Sequence, residues 1–177
     1  MGLKAILEDE RICLRAVEPE DIHYLYEWEN DTENWLISST QSPFSIDVLK
    51  RYIEHSSEDI YTAKQLRLMI TAKDLNNETI GIIDLFDFDP QHQRAGVGIL
   101  IAPEFRNKTY ARCALTCLMS YCKRVLHIHQ LYASMLCDNK ASIRLFHSCG
   151  FEQTGIRKHW IWFEQEWHDE LFMQRIL

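Results

Sequence analysis

Between residues 94 and 124 the sequence changes period once, and that change constrains the architecture more than any other feature. The segment 94–101, Arg-Ala-Gly-Val-Gly-Ile-Leu-Ile, is short and apolar, and Pro103, which cannot donate to a ladder, closes it as a strand. From 109 to 124 the residues Ala111, Ala114, Leu115, Leu118, Met119 and Cys122 recur at intervals of three and four, which predicts a helix with one buried face. A strand entering a helix through a short loop leaves successive amides unpaired and aimed alike, at the positive end of the helix dipole. Such a loop can seat a pyrophosphate, with Arg106 and Lys108 adding charge beside it. The alternative is that both are ordinary solvated residues at a helix start.

The flanking segments extend this pattern. Residues 11–16 alternate polar and apolar and predict a strand. Pro19 opens a helix in which Ile22, Leu25, Tyr26 and Trp28 share a side, with Glu18, Glu20 and Asp21 near its amino end. Residues 30–43 hold turn formers and Trp35, as a loop or a short broken helix, and Ser45 is placed to cap a helix over 46–56. Strands follow at 66–72 and 79–88, turned by Asn76-Asn77, and Asp89-Pro90 leads into the central strand. Beyond the long helix come a strand at 131–136, a helix over 139–149 ended by Gly150, and strands within 151–163 and 167–176. This order predicts an α/β sandwich, a mixed sheet of about six to seven strands flanked by about four helices.

A length of 177 residues suits one domain over 1–177. The net charge of -7 lacks the basic footprint of a nucleic-acid or anionic-membrane surface and suits an amine-bearing partner. The six cysteines form no Cys-x-x-Cys pair, so we expect reduced, mostly buried thiols and no metal. No apolar run follows Met1-Gly2-Leu3-Lys4, and Ile6 stands where a myristoylation motif requires serine or threonine. With no stretch of 18 apolar residues, the expected compartment is the cytoplasm.

Four blocks in register carry a resemblance. The loop Ile101-Ala-Pro-Glu-Phe-Arg-Asn-Lys-Thr-Tyr-Ala111 resembles the coenzyme A loop, Gln/Arg-x-x-Gly-x-Gly/Ala, of the GCN5-related N-acetyltransferase (GNAT) superfamily. Asn139, Ser142, Leu145, Gly150 and Phe151 are similar to that family's Asn-x-x-Ser-x-x-Leu-Tyr-x-x-x-Gly-Phe. Arg11-Ile-Cys-Leu-Arg15 with Glu20-Asp21, and the stretch from Asp87 to Gly98, resemble the ribosomal-protein-alanine and spermidine N-acetyltransferase branch. The resemblance implies a centrally splayed sheet with acetyl-CoA as acyl donor in a V-shaped opening, and backbone near Leu100 and Ile101 beside the acetyl carbonyl. It assigns Leu100, Ile101, Arg106, Asn107, Lys108, Thr109, Tyr110, Ala111, Asn139, Ser142 and Phe146 to the cofactor, although Asn139 serves equally as a helix cap.

Three positions depart from the family pattern. Asn107 and Thr109 replace loop glycines, and a β-branched threonine resists a left-handed backbone. A right-handed Thr109 would still let its amide face the phosphate. Phe146 replaces a tyrosine that returns a proton to the leaving thiolate, leaving Cys149, Tyr110 and Tyr132 as other proton-bearing groups. Gly96 lies near the place of a glutamate base; Asp84, and less so Asp87, are candidates to receive the proton or hold the ammonium, with plain surface roles as the alternative. Asp89 and His92 read first as turn and surface residues. On the acceptor side Trp28 and Trp35 are substrate contacts or packing residues, and Trp160, Trp162, Phe163 and Trp167 read first as sheet packing, then as pocket lining or a homodimer contact. The leading function is acetyl transfer to a primary amine of a small molecule or protein N-terminus by direct attack in a ternary complex. The other class is a weak or inactive relative that binds acyl-CoA or a partner without turnover.

Overall fold

A computed structural model describes residues 6–38, 40–56 and 58–177; the start read above for targeting signals, residues 1–5, lies outside them. Seven strands form one sheet: β1 Ile12–Ala16, β2 Leu66–Ala72, β3 Glu78–Asp89, β4 Arg94–Ile101, β5 Gln130–Leu136, β6 Glu152–Phe163 and β7 Glu166–Ile176. Their spatial order is β1-β2-β3-β4-β5-β7-β6. Among the described strands only the β4–β5 pair is parallel. The helices are α1 Ile22–Asn30, α2 Thr32–Ser38, α3 Ile46–His55, α4 Ile60–Ala63, α5 Tyr110–Arg124 and α6 Lys140–Ser148. The predicted mixed sheet with four substantial helices is borne out, the 30–43 segment takes the helical of its two options as α2, and α4 is added. At four residues α4 is too short to show a period, and it stands on Asp59, whose carboxylate accepts the Tyr61 and Thr62 amides.

Strand alternation divides the core between two faces. Met69 of β2 and Ile82 of β3 point to the layer made by Leu25 and Trp28 of α1 and Leu49 and Ile53 of α3. Their neighbours Leu68, Ile70, Ile83 and Leu85 point the other way, onto Ala114, Leu115 and Leu118 of α5 and Phe146 of α6. Each such fully buried leucine or isoleucine contributes about 1.5–3 kcal/mol. The entry to α1 is fixed by an ion pair: Arg15 donates two parallel bonds to Asp21 (2.6 and 2.7 Å) and a third to Thr79 Oγ1 (2.9 Å). Burial alone would raise the Asp21 pKa, yet Arg15 and the Glu18 amide hold this carboxyl below the usual range.

The carboxy-terminal tryptophans correct one expectation. Trp160, Trp162 and Trp167 are 59%, 57% and 55% exposed, so they do not pack the sheet. The strand β6 pairs only with β7 at the sheet's end, which puts Trp162 opposite Trp167 on an open hairpin. No described helix is long and apolar enough to cross a membrane.

Gly150 ends α6 with φ of +80°, and a Cβ there would stand 1.7 Å from Arg175 Nη1. Gly150→Ala therefore carries a left-handed backbone penalty and must displace the end of the Arg175 side chain, and we expect it to lower stability by about 1–3 kcal/mol in urea unfolding with an unchanged m-value.

Candidate functional site

The sheet is split at its centre. β4 and β5 pair only at Arg94↔Gln130, Ala95↔Leu131 and Gly96↔Tyr132. Past that point β4 stays with β3 as far as Ile101↔Gly81, while β5 stays with β7 as far as Leu136↔Glu170. The strands diverge into a cleft of about 1260 Å³, lined along one wall by Gly98, Ile99, Leu100 and Ile101 and along the other by Tyr132 and Ser134. The Ala102 amide donates to the Ile80 carbonyl (2.9 Å). Antiparallel alternation then turns the main-chain groups of Leu100 toward β3 and those of Ile99 and Ile101 toward the cleft. The backbone role expected of Leu100 is thereby corrected: its side chain packs against the α1–α3 core, while the main-chain groups of Ile99 and Ile101 face the cleft.

Aromatic rings occupy the vertex. Tyr132 meets Phe86 edge-on, with centroids 5.9 Å apart, and stacks on Phe172 at 5.3 Å. A Cβ on Gly96 would stand 2.3 Å from the Phe86 ring, so this ring fills the space a glutamate at that position would need. The Tyr132 hydroxyl donates to Asp87 Oδ2 (3.0 Å), and burial first, then this bond, pushes it up to about 12. Tyr132 is therefore protonated at neutral pH.

At the far end of β4 a 3-10 turn, Pro103–Phe105, leads into the loop 106–109. Asn107 and Thr109 both take left-handed backbone, with φ of +61° and +67°, which overturns the right-handed option for Thr109. The loop thus adopts a glycine-type path without glycine, at a cost of about 1–2 kcal/mol for the threonine. The first backbone bond into α5 runs from the Cys113 amide to the Thr109 carbonyl (3.1 Å). The amides of 107–112 ahead of it have no main-chain partner among the described residues. Arg106 folds back, its Nε donating to the Ile101 carbonyl (2.9 Å), and Lys108 lies over the Phe105 ring. Two further cations line the cleft here, Arg112 of α5 and Arg144 of α6. Sequence reasoning missed both, although Arg144 follows Ser142 on the helix that Asn139 caps.

The opposite side of the cleft is acidic. It is lined by Glu29 of α1, Glu33 of α2, Asp84 and Asp87 of β3 and Glu170 of β7, against Arg67 and Arg157. Arg67 donates from Nε and Nη2 to the two oxygens of Asp84 (2.7 and 3.0 Å) and from Nη1 to Glu29, and it lies over the Tyr52 ring. Burial opposes the Arg67 charge, but Asp84 and Glu29 outweigh that and keep it protonated. Asp84 reaches the cleft as expected, yet both oxygens are held by a guanidinium, so it is an ion-pair partner rather than a free proton acceptor. Glu33 and Asp87 make no ion pair among the described residues, and Arg157 pairs with Glu170 (2.6 Å).

The other candidates separate cleanly. Asn139 and Ser142 line the cleft, and the Asn139 side chain caps α6 by accepting the Ser142 amide (3.1 Å), so the cap role is present and the residue still faces the cleft. Tyr110 and Ala111 line it too, although the Tyr110 hydroxyl is spent on Asp74 (2.9 and 3.0 Å). Phe146 is corrected: it is 3% exposed, meets Phe151 edge-on at 4.9 Å and does not line the cleft. Cys149 is buried in the same core. Trp28 packs in the α1–α3 core and reaches the cleft wall. Trp35 sits on α2, its indole donating to the Glu29 carbonyl (2.8 Å), and does not line the cleft. His92 is exposed on the β3–β4 turn, its amide bonded to Asp89.

Comparison with known proteins agrees with this geometry. Residues 11–152 match the family model of the acetyltransferase (GNAT) domain. A spermidine N(1)-acetyltransferase of Vibrio cholerae is 26% identical over 148 residues, covering 83% of this chain and 82% of that one. The Escherichia coli K12 spermidine N(1)-acetyltransferase is 25% identical, covering 84% and 76%. The crystal structure of the Vibrio cholerae spermidine N-acetyltransferase in complex with CoA and spermine superposes with a TM-score of 0.85 at 22% identity, over 95% of this chain and 96% of that one. A split sheet, a loop of unpaired amides ringed by cations and a family match over most of the length lead to one conclusion: the chain belongs to the GNAT family and is an acetyl-CoA-dependent N-acetyltransferase.

Proposed function

We propose that the acceptor is a small polycationic amine of the polyamine class, acetylated by the single domain 1–177. The observation that carries this reading is the division of charge along one cleft. Arg106, Lys108, Arg112 and Arg144 gather where α5 and α6 meet it, and five carboxylates gather where α1, α2, β3 and β7 do. Polyphosphate suits the first and an oligoamine the second. The relatives named for spermidine acetylation support the same class.

The described residues fit the donor. The amides of 107–112 and their cations would hold its phosphates, and the inward amides of Ile99 and Ile101 would pair with its extended arm as an added strand does. Acetyl-CoA bound there supplies a thioester carbon that the acceptor nitrogen attacks, the acetyl group passing to nitrogen as the C–S bond breaks. We assign the Ile99 amide to the developing negative charge on the carbonyl oxygen, because it lies nearer the vertex than Ile101. Tyr132 keeps its proton on Asp87 at the vertex and so leaves vacant the thiolate-protonating role that Phe146 cannot fill; the coenzyme A thiolate, whose thiol titrates at about 8.5, leaves unaided and takes its proton from water. Glu33 and Asp87 hold the ammonium end of the acceptor, and its attacking nitrogen loses its proton to water.

Self-association is part of this reading. The exposed Trp162 and Trp167 pair supports it, as does a dodecameric Vibrio cholerae relative. Light scattering at several concentrations tests it, and a concentration-independent monomer would refute it.

Three outcomes are expected. Thiol release from acetyl-CoA should be faster with spermidine or spermine than with peptides bearing a free amino terminus, and the acceptor KM should rise with ionic strength. Turnover on peptides alone would sink the polyamine reading. Glu33→Gln should raise the spermidine KM about fivefold, roughly 1 kcal/mol of lost charge interaction, with kcat retained. Asp87→Asn removes a charge that disfavours the phenolate, so the Tyr132 titration, identified as the absorbance change missing in Tyr132→Phe, should move from about 12 toward the ordinary phenol range.

A further inference from the structure

We propose that Arg11, a residue outside the cleft, is a positioning residue that holds the cofactor loop in its left-handed form and so replaces the glycines this chain lacks. The inference rests on the reading that the loop 106–111 seats the donor's phosphates. Arg11 precedes β1, more than ninety positions from the loop in sequence. Its guanidinium donates from Nη1 to the Lys108 carbonyl (2.7 Å) and to the Thr109 hydroxyl, and from Nη2 to Asp74 Oδ2 (3.1 Å). It also lies 4.6 Å from the centre of the Tyr110 ring, and the Tyr110 hydroxyl closes the circuit on Asp74. Thr109 Oγ1 in turn donates to the Lys108 carbonyl (2.6 Å). One planar fork thus engages the Lys108 carbonyl, the Thr109 hydroxyl, Asp74 and the Tyr110 ring together.

The placement answers the difficulty that Thr109 poses. A threonine at φ +67° is disfavoured, and if released it would relax toward right-handed backbone and turn the loop amides away from a common point. The clamp grips the peptide between Lys108 and Thr109 together with the hydroxyl, which are the atoms that would have to move. It does so from behind, since neither Arg11 nor Asp74 lines the cleft. A site whose competent form is only partly populated binds more weakly in proportion to that population, so a residue that fixes the form raises affinity without touching the ligand. A glycine at 109 would make the clamp unnecessary.

The experiment is calorimetric binding of acetyl-CoA to the wild-type chain, Arg11→Ala, Arg11→Lys, Thr109→Gly and the Arg11→Ala/Thr109→Gly double variant, with steady-state kinetics on each. We expect Arg11→Ala to weaken acetyl-CoA binding about tenfold and raise its KM alike, with the acceptor KM and the kcat at saturating donor unchanged. Thr109→Gly alone should bind at least as tightly as wild type, and in the double variant it should restore affinity to within about threefold. Arg11→Lys keeps the charge but loses the fork, and should behave like Arg11→Ala. The proposal is overturned if Arg11→Ala binds as wild type does, if glycine at 109 fails to rescue it, or if Arg11→Lys is unimpaired, which would make the effect one of charge. Should Arg11→Ala not fold, Asp74→Asn, which frees one side of the fork, carries the same expectations, including rescue by Thr109→Gly. Absence of acetyl-CoA binding by the wild-type chain would instead sink the phosphate-seat reading itself.

Discussion

The parting of β4 from β5 after Gly96↔Tyr132 is the constraint on which the rest of the structure depends. A continuous sheet would satisfy its own main-chain groups and leave nothing for a ligand. Here each strand keeps its outer neighbour, β3 or β7, for its full length, so the sheet loses little stability where it opens. The cost falls on the inward groups of a few residues, Ile99 and Ile101 above all. A buried or half-buried amide without a partner is unfavourable, and an extended ligand that supplies one gains by that margin. The aromatic vertex of Phe86, Tyr132 and Phe172 stops the opening from zipping up or running further.

Around this opening, charge is sorted by element. The loop after β4 and the helices α5 and α6 bring cations, and α1, α2, β3 and β7 bring carboxylates. Arg67 modulates that second side. One guanidinium serves both Asp84 and Glu29, leaving an excess of negative charge while preventing two carboxylates from facing each other unscreened. Pairing of this kind organises a site more than it stabilises a fold, because desolvating the ions costs about as much as their attraction returns.

The fold was largely legible in the sequence because its signals are periodic and local. Alternation at 66–72 and spacing of three and four in 109–124 each name an element without reference to any other residue. The site was legible only in part. The position of the loop, the Asn139 cap and the central strand ending at Ile101 were legible, since sequence order and helix-end geometry determine them. What failed depends on where side chains meet across the fold. Nothing local to Asp84 shows that Arg67 covers both its oxygens, and nothing local to Phe146 shows that it turns into the core toward Phe151. Thr109 is the instructive case: propensity argued against a left-handed backbone, and a contact from Arg11 accompanies it all the same. The Trp162 and Trp167 pair shows the converse, an apolar cluster that marks open surface because β6 ends the sheet.

The contact between Gly96 and Phe86 restricts which sequences this chain can reach one step at a time. A carboxylate side chain introduced at 96 would collide with the ring, and shrinking the ring first would hollow the vertex before any new group arrived to fill it. The two positions are therefore epistatic, each change deleterious without the other. A carboxylate can enter the vertex at 96 only together with a smaller side chain at 86.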